Sequence, residues 1–105
     1  MTEVKFFADE LSVTGFEISG HSSENCEDLE GKIVCSAISS AAYMAANTII
    51  EIVRDKAQTD VDDAYMRVKV ISPSKTSRDL LEGFMLHITE LKKQFNNRIK
   101  ITTEV

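Results

Sequence analysis

The chain has 105 residues, with 12 Lys and Arg against 17 Asp and Glu for a net charge of −5, and 43% of its residues are hydrophobic. That length holds a single domain, residues 1–105, with a core of its own, and the composition lies far from that of disordered chains. An acidic balance disfavours attachment to phosphate backbones, so nucleic acid is not expected as a direct partner. The opening Met1-Thr2-Glu3-Val4-Lys5 has neither the basic nor the apolar region of a leader, and no run is expected to span a membrane. A cytoplasmic protein follows, with its two cysteines as free thiols.

Val4, Phe6 and Ala8 alternate with Lys5 and Phe7, and after Asp9-Glu10 the pattern resumes through Leu11, Val13, Phe16 and Ile18. This spacing predicts a β-hairpin. The alternation changes phase at Thr14-Gly15, where a bulge accounts for the slip and Gly accepts the unusual backbone angles. From His21 to Gly31 the sequence is polar and without period, a loop. Between Ile33 and about Lys56 the residues Val34, Ala37, Ile38, Ala41, Ala42, Ala45, Ile49, Ile52 and Val53 fall three and four apart, one face of a helix. Gln58 to Asp63 is a short strand or a loop, and Tyr65 to Ile71 alternates as a strand.

After Pro73, Thr76-Ser77-Arg78-Asp79 resembles a capping box, and Leu80, Leu81, Phe84, Ile88, Leu91 and Phe95 form the stripe of a second helix ending at Asn96-Asn97. Phe84, Ile88, Leu91 and Phe95 read as core, with a dimer seam as the lesser option. Ile99, Ile101, Thr103 and Val105 predict a final strand. The order ββα(β)βαβ gives an α+β fold of two layers, one mixed sheet with both helices packed on one face.

Two histidines and two cysteines carry the candidate chemistry. His21 ends a strand directly after Gly20, and Cys35 follows at the expected start of the long helix. In a first turn, free N–H groups and the helix dipole favour an anion such as a thiolate, and the same N–H groups suit an oxyanion. On spacing alone the simpler account stands beside this one: a small buried Cys and a strand-end His bonded to backbone. A zinc site from His21, Cys26, Cys35 and a loop carboxylate matches no usual ligand spacing, so no metal is expected. Cys26 reads as an exposed loop thiol, and His87 as a helix-flank or interface residue.

Gly15-Phe16-Glu17-Ile18-Ser19-Gly20-His21, then Gly31-Lys32-Ile33-Val34-Cys35-Ser36-Ala37-Ile38-Ser39, resembles the ribosomal-processing cysteine proteases, the Prp family. The small-residue helix, the Tyr-x-Arg-Val strand and the last helix and strand match in order. The resemblance implies a homodimeric cysteine endopeptidase without cofactor, with Cys35 as nucleophile and His21 as general base. It also implies removal of the N-terminal extension of a large-subunit ribosomal protein. Gly20 and Ser39 fall on the substrate side of that motif. Lys32 stands where the family carries Asp, three residues before the nucleophile, so no third catalytic group is assigned. Glu24, Glu27, Asp28 and Glu30 lie within seven residues of one another. They are either a solvated loop or a field that attracts the basic tail of such a substrate. The rival reading is a noncatalytic, ribosome-associated adaptor on the same fold.

Overall fold

The computed structural model describes every residue except Glu24. β1 (Thr2–Ala8) and β2 (Val13–Ser19) form the expected antiparallel hairpin. Phe7 pairs with Gly15 and Ala8 with Val13, which leaves Thr14 as the extra residue of a bulge. The reason for the adjoining glycine differs from the one the sequence suggested. A Cβ on Gly15 would lie 2.3 Å from the Val68 carbonyl oxygen and 2.9 Å from Lys69 Cα, so Gly15 serves the close approach of the next strand.

That strand is β4 (Tyr65–Val70), antiparallel to β2 on one side and to β3 (Ala57–Asp62) on the other. β5 (Ile99–Glu104) lies parallel to β1, giving a mixed sheet of order β3-β4-β2-β1-β5. β3 resolves the choice left open between strand and loop. It is an edge strand with no buried residue, so its composition carries no apolar alternation.

α1 (Leu29–Asn47) begins four residues before the expected start and passes into a π-helical turn, Thr48–Val53. Val34, Ile38, Ala42, Ala45 and Ile49 are buried, whereas Ile52, expected on the same face, is 76% exposed. The wider π turn rotates the stripe out of phase, which carries Ile52 to the surface. The continuous helix Leu29–Val53, 25 residues, is long and apolar enough by composition to cross a membrane, contrary to the expectation that no run would be. Its isoleucines and Val34 account for most of that, and its alanines for the rest. The alanines let the helix sit close on the sheet, and the buried stripe makes it the core helix of this domain.

α2 (Lys75–Gln94) starts from Ser74, whose hydroxyl accepts the Ser77 N–H at 3.2 Å, two residues before the predicted box. Leu81, Phe84 and Ile88 are buried, and Leu80, Leu91 and Phe95 pack against the core. Phe84 meets Phe16 at 4.7 Å and Phe6 at 5.8 Å between ring centroids, joining α2 to the central strands. Each such fully buried Phe, Leu or Ile contributes about 1.5–3 kcal/mol. On the opposite face of the sheet, Phe7 is roofed by Arg67 and Lys69, whose charged groups lie 5.4 Å and 5.1 Å from its ring centre. The architecture is the expected α+β two-layer fold.

Candidate active site

Three elements converge at the C-terminal end of β2. Gly20 closes that strand with its N–H donated to the Ala64 carbonyl at 3.0 Å, in the turn between β3 and β4. His21 follows, exposed, and Ser22 turns back inward and is buried. The Ser22 N–H is donated to Cys35 Sγ at 3.1 Å. His21, Cys35, Ser39, Tyr43, Asp62 and Tyr65 line one open cleft of about 300 Å³. Gly20 lines it as well. The structure thus brings together the strand-end histidine, the helical cysteine and the serine one turn further along α1. Among the described residues, the His21 imidazole makes no hydrogen bond or ion pair.

The position of Cys35 corrects one expectation. Because α1 is capped by Asp28, Cys35 is its seventh residue and sits in the second turn, beyond the unpaired N–H groups of the first. The donor aimed at the sulfur comes from the loop, through Ser22. Gly31, read as the end of that loop, lies inside the helix. A Cβ there would meet Ser23 Cα at 2.4 Å, so Gly31 lets the loop lie directly on the helix start.

The four loop acids have separate placements. Asp28 caps α1, its carboxylate accepting the Gly31 N–H at 3.1 Å, and it forms a short hydrogen-bonded ion pair with Arg98. Glu30 lies 3.6 Å from the same guanidinium. Glu27 is exposed, and Glu24 is outside the described residues. Asp28 therefore serves the fold first. Lys32 donates its ammonium to the Cys26 carbonyl at 2.5 Å, bracing the loop. Cys26 is exposed, and both cysteines are free. His87 is exposed on α2 beside the buried Phe84. No group of three metal-ligating side chains forms among the described residues.

Tyr65, Ser22 and Arg98 belong to the site without having been singled out in the sequence. The Tyr65 hydroxyl donates to Glu17 at 3.1 Å, and burial first, then this bond and the Glu17 charge, raise its pKa above the ordinary tyrosine value. Tyr65 therefore presents the cleft with a neutral phenol. Its strand alternation showed only that it shared a face with Arg67. Arg98 sits 76 residues from Ser22 in sequence, and no local pattern links them.

A family model described as cysteine protease Prp matches residues 1–100. Among solved structures, the fold is similar to an essential ribosomal processing protease Prp from S. aureus in complex with a substrate peptide, with TM-score 0.87, 16% identity, and 99% of this chain and 100% of that one covered. The S. aureus protein in complex with a covalently linked product peptide gives TM-score 0.85 at 17% identity over the same shares. SMU.848 from Streptococcus mutans gives TM-score 0.78 at 24% identity over 99% of this chain and 96% of that one. No curated protein sequence matches.

Proposed function

The chain belongs to the cysteine protease Prp family, and from that premise we propose that it is the endopeptidase that removes the N-terminal extension of a large-subunit ribosomal protein precursor. In this reading Cys35 attacks the scissile carbonyl carbon. His21 accepts the thiol proton and returns it to the leaving amine as the C–N bond breaks. Water, deprotonated by His21, then hydrolyses the acyl-thioester and restores the thiol. The observation that carries the reading is the cleft itself, which Cys35 and His21 both line and where the Ser22 N–H is aimed at the sulfur. That N–H offsets negative charge on the thiolate and, once sulfur has bonded to carbon, is a loop donor for the adjacent oxyanion.

Ser39 and Gly20 line the same cleft and are assigned to substrate contact. The exposed acids of the loop are assigned to attracting a basic tail. The S. aureus protein captured with a covalently linked product peptide supports a covalent mechanism on this fold. Two free cysteines agree with a reducing compartment, so we place the protein in the cytoplasm, and we take its working form as a homodimer.

The test is incubation with a peptide spanning the extension junction of the ribosomal protein encoded in the same genome, read by mass spectrometry. The wild type cuts once. Cys35→Ala abolishes the cut, and His21→Ala lowers kcat by about 10²- to 10⁴-fold. Cleavage that survives Cys35→Ala defeats the nucleophile assignment. Equal binding by wild type and Cys35→Ala with no cleavage by either replaces the enzyme by the adaptor reading.

A further inference from the structure

Ser22 is held at every polar atom. Its N–H points at Cys35 Sγ at 3.1 Å, and its carbonyl accepts Arg98 Nη1 at 2.8 Å. Its hydroxyl donates to the Arg98 carbonyl at 3.1 Å and shares a 2.6 Å hydrogen bond with Thr2 Oγ1. Arg98 therefore grips this residue with both its main chain and its side chain. The same Nη1 also reaches Asp28 Oδ2 at the cap of α1, the helix that carries Cys35.

We propose that Arg98 is a positioning residue of the reaction, which locks the Ser22 backbone to the start of α1 so that the Ser22 N–H stays aimed at the Cys35 sulfur. The Ser22 N–H and carbonyl belong to successive peptide planes. Fixing both, with the hydroxyl, fixes the two torsions between them. Without that tie the polar segment after His21 has few apolar contacts to oppose its conformational entropy. Arg98 and Asp28 side chains are only 20% and 12% exposed, so solvent screens the pair weakly. The fork matters as well as the charge, because Nη1 serves Ser22 and Asp28 while Nη2 faces Glu30 at 3.6 Å, and the single nitrogen of an ammonium does not offer that planar pair.

The proposal rests on Cys35 being the nucleophile, and the experiment separates the two. In a Cys26→Ser background, which leaves Cys35 as the sole thiol, Arg98→Gln and Arg98→Lys are compared for kcat and KM on the junction peptide. The rate of Cys35 alkylation by iodoacetamide is followed against pH, and folding is followed by circular dichroism melts. Arg98→Gln is expected to lower kcat by about 10- to 100-fold with KM changed by no more than about twofold. Its alkylation curve is expected to move to higher pH, with Arg98→Lys lying between it and the parent. Wild-type kcat in Arg98→Gln, or a lost kcat with an unmoved alkylation curve, overturns the role. Should Arg98→Gln fail to fold, Arg98→Lys decides: a displaced curve supports the clamp and an unmoved one overturns it. Cleavage persisting in Cys35→Ala brings down both the nucleophile assignment and the clamp.

Discussion

Asp9 shows how much of this fold's electrostatics sits in one side chain. Both its oxygens meet Arg78, at 2.8 Å and 2.7 Å, and the Leu11 and Ser12 N–H groups also donate to it. The Arg78 guanidinium first, then these N–H groups, hold its carboxyl far below the usual aspartate range. A carboxyl depressed in the folded state stabilises at pH values above its unfolded pKa of about 4, and that contribution is lost as pH falls from there toward the folded value. Asp9→Asn is therefore expected to melt at a lower temperature than wild type at pH 7, with the gap narrowing steadily below about pH 4. Thermal melts from pH 7 to pH 2 check this, and a gap that stays constant across that range contradicts it. Asp9 was visible in the sequence only as part of a turn. Its partner lies 69 residues away, and periodicity says nothing about such pairs.

At the level of elements, the sequence was most legible where burial is one-sided. The hairpin, its bulge, the stripe of α2 and the last strand all follow from local alternation or from three- and four-residue spacing. Legibility failed where an element has no buried face, as in β3, or where its first turn overhangs the core. Leu29 and Lys32 of α1 are exposed and Gly31 resembles a breaker, so the helix start was taken for loop and Cys35 for a first-turn residue. Gly15 ties element packing to the site, because β4, which it lets approach, carries Tyr65 into the cleft. Gly15→Ala must push backbone against backbone. It is expected to cost about 1–3 kcal/mol in denaturant unfolding and to lower kcat/KM by shifting Tyr65 and the Ala64 carbonyl that holds Gly20. Unfolding that matches wild type contradicts this account.

For the whole molecule, the net charge of −5 acquires a local meaning. Asp28 and Glu30 are drawn toward Arg98, leaving Glu27 as the exposed, uncommitted acid among the described loop residues. If the substrate tail is basic, replacing Glu24 and Glu27 with Gln should lower kcat/KM by about two- to fivefold at low ionic strength. The difference should vanish near 0.5 M salt, roughly where screening shortens to a few ångströms. An unchanged salt dependence of kcat/KM removes the steering role.

The parallel pairing of β1 with β5 also orders events in time. Thr2 donates its N–H to the Arg98 carbonyl at 3.0 Å, so the first strand and the base of the last meet beneath Ser22. A nascent chain that has exposed His21 and Cys35 still lacks the residue that fastens the loop between them. Ser22 gains its two Arg98 partners only when residue 98 has left the ribosome and the closing strand has docked. On the clamp proposed above, full activity arrives with the docking of the last strand rather than with the two residues of the cleft.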